Sequence, residues 1–214
     1  MRRRRLRHLA LIPALLVALA AQAGEGGFVP LFDGKTTAGW TTVGGKPENW
    51  TVRDGLLVTR GRGGGWLSTD ATYANFILTL EFRFGPGGNS GVFIRAPREG
   101  NPAYTGMEIQ LLDDGDEQYK SLKPYQYTGS IYGVVAAKRG HVKAPGQWNR
   151  MEIRAEGPKV VVALNGATIV EAVLTEHPDA VPEHPGLLRK DGYIGLQSHN
   201  DEVEFRNVAI KELK

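Results

Sequence analysis

Between Phe76 and Phe84 the chain alternates without a break. Phe76, Leu78, Leu80, Phe82 and Phe84 fall on one parity, and Ile77, Thr79, Glu81 and Arg83 on the other. A period of two gathers the first set on one face of a pleated strand, whereas a helix would scatter it around the axis. Five large apolar side chains on one face need an equally apolar partner surface, while the far face carries charge. The stretch therefore predicts a strand in a sheet packed on a second sheet, with Glu81 and Arg83 solvated or paired across strands.

The rest of the chain reads the same way. Asn49–Arg53 and Leu56–Thr59 flank Asp54-Gly55, and Lys159–Leu164 and Ala167–Val170 flank Asn165-Gly166. Both dipeptides favour the two-residue hairpin turn, whose central positions need positive φ. Further strands are expected at Phe28–Phe32 (an edge, because Pro30 cannot donate to a ladder), Trp66–Thr69, Val92–Arg95, Met107–Leu112, Thr128–Val135, Met151–Ala155, Tyr193–His199 and Val203–Leu213. Beyond the N-terminal leader no helical period runs longer than about two turns. The prediction is an all-β jelly-roll sandwich of two antiparallel sheets. Gly61–Gly65 reads as a mobile loop; it lacks the strand–loop–helix setting of a phosphate cradle. Asp113–Tyr127 has no clean period and reads as a long excursion over a sheet edge or face, a length usual for functional loops. Pro97–Thr105 and Thr175–Lys190 are also read as loops, the latter carrying His177 and His184, which are expected to be solvated for want of a third ligand at metal spacing.

The N-terminus is a different kind of sequence. A head with five arginines precedes an apolar run from Leu9 to Ala20, interrupted by Pro13, and then Ala21-Gln22-Ala23. This is the pattern of a secretory leader, residues 1–23, cleaved after Ala23, and the run is too short for a comfortable membrane span. Residues 24–214 then form a single exported domain, periplasmic or extracellular. Of the 26 basic side chains five belong to the head, so 21 face 23 acidic ones in the remainder, and the net charge of +3 is a property of the precursor. A nucleic-acid partner loses its main support. With no cysteine, neither a disulfide nor a thiolate metal site is possible, and stability must come from the core.

The polar residues on the strand faces are the candidates for function. Met107, Ile109 and Leu111 share one parity, which leaves Glu108 and Gln110 side by side on the other, roughly 7 Å apart at strand rise. If Val92 and Ile94 point inward, Phe93 and Arg95 share that polar face; with Ile194 and Leu196 inward, Gln197 and His199 face outward together. One outer face thus collects Arg95, Glu108, Gln110, Gln197 and His199, which suggests a ligand surface.

Several ordered motifs carry a resemblance: Phe32-Asp33-Gly34-Lys35 with Gly39-Trp40, Asn89-Ser90-Gly91-Val92-Phe93-Ile94-Arg95, Glu108-Ile109-Gln110-Leu111-Leu112-Asp113, Gly129-Ser130-Ile131-Tyr132-Gly133, Trp148-Asn149 and Gly195-Leu196-Gln197-Ser198-His199 with Val203-Glu204-Phe205-Arg206-Asn207. Together, over about residues 28 to 213, the chain resembles the 3-keto-disaccharide hydrolase family. The resemblance implies a concanavalin A-like sandwich acting on saccharides oxidised at C3, supplied by a separate oxidoreductase. A C3 ketone acidifies the C2 hydrogen, so a base can remove it and expel the C1 substituent, after which water adds. Such chemistry needs a base, an acid and a donor to the enolate oxygen.

On chemistry and shared face, His199 and Glu108 are the candidate base and acid in either order, and Arg95 the candidate for the enolate oxygen. Gln110, Gln197 and Tyr132 are expected to hold sugar hydroxyls, Asp113 to hold a hydroxyl or to cap its loop, and Trp66 to form an exposed stacking platform. No spacing demands a metal, and no metal or cofactor is assigned. Two other readings are open. In a non-catalytic carbohydrate-binding sandwich the tryptophans would serve as platforms, and such a protein would bind without turnover. The other is an ordinary two-carboxylate glycosidase: Glu108 to Asp113 has the outline of a Glu-x-Asp-x-x-Glu strand, but Gln110 stands where the middle acid would be and Asp113 replaces the second glutamate.

Overall fold

A computed structural model describes residues 25–61 and 63–214; the predicted leader lies outside the described residues. In chain order the strands are β1 Val29–Pro30, β2 Trp40–Val43, β3 Trp50–Arg53, β4 Leu56–Thr59, β5 Trp66–Tyr73, β6 Phe76–Phe84, β7 Asn89–Ala96, β8 Met107–Leu112, β9 Asn149–Glu156, β10 Lys159–Leu164, β11 Ala167–Val173, β12 Gly192–Gln197 and β13 Val203–Glu212. One short helix, α1 Pro102–Thr105, interrupts the β7–β8 connection. Two antiparallel sheets result, one ordered β11-β10-β9-β6-β13-β4-β3 with β1 also on β13, the other β2-β5-β12-β7-β8. This is the two-sheet sandwich expected from the alternation.

β6 lies at the centre of the larger sheet, paired with β9 and β13. Phe76, Leu78, Leu80, Phe82 and Phe84 are all buried and meet Val92, Ile94, Ile109, Leu111, Ile194 and Leu196 of the smaller sheet in one core. Each such side chain contributes about 1.5–3 kcal/mol on burial, which is how a chain without disulfides is held. On the outer face Glu81 pairs with Arg206 and Arg83 with Glu204, both across the β6–β13 ladder, and the two arginines lie 4.7 Å (Arg83) and 4.0 Å (Arg206) from the Trp148 ring centroid. The charged parity of β6 is thus cross-strand pairing. Asp54-Gly55 and Asn165-Gly166 turn their hairpins with φ of 52° and 78°, and 52° and 89°.

Two expectations are corrected. Thr128–Val135 is no strand. Gly129 and Gly133, at φ 85° and 76°, fold it into turns, and only Ile131 bridges Ile109. It nevertheless closes the outer edge of β8, since Tyr132 N–H donates to Glu108 O and Gln110 N–H to Ser130 O. In the 61–65 run, Gly61 and Gly65 serve close backbone approach. Gly61 lies against Asn200–Asp201 and Gly65 against Gly44–Gly45, where a Cβ would collide. His184 is buried, not solvated. Among the described residues no helix is long and apolar enough to cross a membrane.

Candidate active site

β8 is buried on both faces, although its sequence alternates. Met107, Ile109 and Leu111 enter the core; Glu108 and Gln110 face away from it yet are only 4 % exposed. The cover comes from two segments that alternation does not reveal. One is the connection carrying α1, whose Ala103 packs with Trp66, Phe93 and Ala96; the other is the turn segment around Tyr132. In the β7–β8 ladder Glu108 stands opposite Phe93 and Gln110 opposite Gly91. A Cβ on Gly91 would fall on the Glu108 carboxyl, so the missing side chain is what gives that carboxyl room.

Glu108 lies in a cavity of about 270 Å³ with Asn89, Tyr104, Gln110, Tyr132, Gln197 and His199 around it. Burial pushes its carboxyl up to about 8, while a hydrogen bond with the Gln197 carboxamide pulls more weakly the other way. At neutral pH it is therefore a buried neutral acid able to donate a proton or a hydrogen bond. Gln110 Nε2 donates to Asn89 Oδ1 at 3.0 Å, and Gln126 Nε2 donates to Tyr132 Oη at 2.8 Å, so both cavity side chains have fixed orientations. His199 is exposed at the rim, just past the end of β12. The segment that carries it is pinned: Ser90 Oγ donates to Gln197 O, Ser198 N–H to Gly65 O, and Thr59 Oγ1 to Ser198 Oγ.

Behind the cavity Tyr104 stacks on His184 with ring centroids 4.8 Å apart and meets Tyr132 edge-on at 6.4 Å. The His184 imidazole donates to the Ala103 backbone, and burial lowers its proton affinity. A second cavity of about 260 Å³ adjoins the first, sharing Asn101, Gln197 and His199, and is walled by Trp66, Phe93, Pro102 and the Gly64–Gly65 backbone.

Glu108, Gln110, Tyr132, Gln197 and His199 are thus brought together, Arg95 and Trp66 are not where the sequence puts them, and Asp113 takes the second of its two expected parts, closing its loop. Arg95 leaves this face. β7 carries a bulge, with Ile94 and Arg95 opposing the single Ile194 between the Phe93–Gly195 and Ala96–Tyr193 pairs. With φ of 48° Arg95 breaks the alternation and turns its guanidinium, 1 % exposed as a residue, toward the sheet end. There it donates to the carbonyls of Ala74, Gly157 and Arg189 at 3.0, 2.7 and 3.3 Å. Asp113 lies outside the cavity; its carboxylate accepts from the Gly87 and Gly115 N–H groups and closes the loops at the end of β8. Trp66 is no exposed platform. It is 3 % exposed, edge-on to Phe93 at 5.5 Å and over Gly195, and it reaches the site as a wall.

Asn89, Asn101 and Tyr104 are site residues that strand alternation passes over. One signal for the last two is in the sequence: Asn101-Pro102 is an N-cap followed by proline at the first helical position, and Asn101 Oδ1 accepts from Ala103 N–H. That turn carries Tyr104 to the cavity mouth.

A family model described as the 3-keto-alpha-glucoside-1,2-lyase-like domain matches residues 27–211. The chain belongs to that family. The chain is 30% identical to a 3-keto-disaccharide hydrolase of Bacteroides thetaiotaomicron, over 87% of the chain and 79% of that protein. A crystal structure of a candidate glycosyl hydrolase from Parabacteroides distasonis is 33% identical with a TM-score of 0.76, covering 87% of the chain and 99% of that structure. The fold alone extends to a carbohydrate-binding module of Bacillus subtilis, 18% identical with a TM-score of 0.58 over 81% of the chain and 96% of the module. The chain is a hydrolase of this carbohydrate-active family, which sets the non-catalytic reading aside.

Proposed function

We propose that the chain is an exported hydrolase of 3-keto-glycosides, cleaving by C2 proton abstraction, elimination and hydration, with Glu108 as the donor to the C3 oxygen and His199 as the base. The observation that carries this reading is the neutral buried carboxyl of Glu108 in one cavity with the exposed imidazole of His199. His199 takes the C2 proton, the electron pair moves onto the C3 oxygen, and the Glu108 hydroxyl, itself only 4 % exposed, meets the developing charge. The enolate then restores the ketone and expels the C1 substituent, whose oxygen takes the proton from the His199 imidazolium. Water adds its hydroxyl to C1 and a proton to C2 of the unsaturated sugar, so the net reaction is hydrolysis. Gln110, Gln197 and Tyr132 hold ring hydroxyls, and Glu108 takes the part that the sequence alone offered to Arg95. The basic head and short apolar run of residues 1–23 support export, with the mature chain starting at Gly24.

A two-carboxylate glycosidase is not favoured, because among the described residues lining the two cavities Glu108 is the one carboxylate and that mechanism uses a pair. The test is incubation of the mature protein with a 3-keto-disaccharide and with its unoxidised parent in deuterated water. Cleavage of the keto form alone, with deuterium at C2 of the released sugar, is expected. Cleavage of the parent at a comparable rate would overturn the enolate route.

A further inference from the structure

Tyr132 lines the cavity with Glu108, and its backbone is registered on that residue, since Tyr132 N–H donates to Glu108 O at 2.9 Å. What orients its hydroxyl is a residue that lines neither cavity. Pro124–Gln126 forms a single tight helical turn. In it Gln126 N–H donates to Lys123 O at 2.9 Å, and Lys123 N–H donates back to Gln126 Oε1 at 3.1 Å, the reciprocal pair by which a third-position glutamine closes a turn at its start. Gln126 Nε2 then donates to Tyr132 Oη at 2.8 Å. A further bond, from Gly133 N–H to Tyr125 O at 3.2 Å, holds the turn against the segment that carries Tyr132.

The direction of this chain of bonds is not free. A backbone N–H can only donate, so Gln126 turns its carbonyl oxygen to Lys123 and its amide nitrogen to Tyr132. The phenol oxygen therefore accepts from within the protein, and its one proton is left for a bond elsewhere. Two neighbouring tyrosines use that proton inside the fold: Tyr119 Oη donates to Gly87 O and Tyr127 Oη to Tyr119 O, both at 2.8 Å. Tyr132 Oη makes no such bond among the described residues. Resting on the reading above, we infer that Gln126 is a positioning residue for substrate binding. It makes Tyr132 a contact that only donates, so the ring oxygen held there is taken by its lone pair and turns any proton of its own away from the tyrosine. A phenol without such a partner could serve in either sense.

The experiment measures KM and kcat on a 3-keto-disaccharide at neutral pH for the wild type, Gln126→Glu, Gln126→Met, Tyr132→Phe and the double variant Gln126→Glu with Tyr132→Phe. Gln126→Glu keeps the size of the side chain and the bond from Lys123, but sets a carboxylate against Tyr132 Oη that draws the phenol proton back to itself. Gln126→Met gives up both bonds and leaves that proton free. A residue that merely props the turn makes Gln126→Met the more harmful change; a residue that sets direction makes Gln126→Glu so. KM is expected to rise about tenfold in Tyr132→Phe and in Gln126→Glu and about twofold in Gln126→Met, with kcat little changed and no further rise in the double variant. Gln126→Met as harmful as Gln126→Glu overturns the assignment. So does a Gln126→Glu effect that persists in full beside Tyr132→Phe, since it then arises from charge alone. Wild-type KM in Tyr132→Phe overturns it as well, while turnover by the wild type leaves the keto-glycoside reading intact. Should the wild type not cleave the substrate, that earlier reading falls, and this assignment with it.

Discussion

At the scale of the residue, Glu108 carries the chemistry because of what surrounds it. A carboxyl closed off from water keeps its proton to about pH 8, and so works as an acid that parity alone could not have distinguished from a solvated carboxylate. If it donates to the C3 oxygen in its neutral form, Glu108→Gln retains a donor and loses about tenfold in kcat, whereas Glu108→Ala loses about 10²–10³-fold. Near-complete loss in the glutamine variant would mark Glu108 as the base instead. The rate has a pH signature too: kcat/KM of the wild type should fall as pH rises through about 8, and that limb should vanish in Glu108→Gln. Stability moves with the same proton. Below roughly pH 4.3 folded and unfolded chains both hold it; above that the unfolded chain releases it while the folded one does not. The stabilising contribution is therefore complete at low pH and drains away until the folded carboxyl ionises near 8. Urea unfolding at pH 4.5 and 8.5 should show Glu108→Gln gaining on the wild type by several kcal/mol, to order of magnitude, across that window. The position of Glu108 could be read from the alternation of Met107–Leu112; its neutrality could not, because the cover comes from α1 and the Tyr132 segment folding over β8, which the alternation of β8 does not mark.

At the scale of the element, one inserted residue explains the largest error of sequence reading. Period-two logic places Arg95 with Phe93 because it assumes an unbroken ladder, and the bulge opposite Ile194 reverses parity from that point on. Nothing in Val92-Phe93-Ile94-Arg95 announces the insertion. The hairpins, by contrast, were readable from their turn dipeptides, because the φ values they need belong to few residue types. β7 also supplies the space on which the site depends. Gly91→Ala puts a methyl group where the Glu108 carboxyl now sits, so it should cost more than tenfold in kcat and about 1–3 kcal/mol of stability, with the circular dichroism of the sandwich retained. Unchanged kinetics in this variant would mean that the carboxyl position does not matter.

At the scale of the molecule, the two-sheet architecture could be read from the alternation of β6 and the absence of helical periods, but the strand order could not. β6 pairs with β9 and β13, far along the chain, and such pairing leaves no local mark. The Arg95 clamp belongs to this scale, since the carbonyls of Ala74, Gly157 and Arg189 come from connections at widely separated points of the sequence. A guanidinium is costly to strip of water before all three have arrived, so the clamp is expected to close late, after the sheets have assembled. Its removal should then act on one side of the folding barrier alone. In a chevron plot Arg95→Ala should leave the refolding limb in place and raise the unfolding rate about a hundredfold, as expected for a contact absent from the transition state. A side chain set away from the cavity would thereby govern how long each folded molecule lasts.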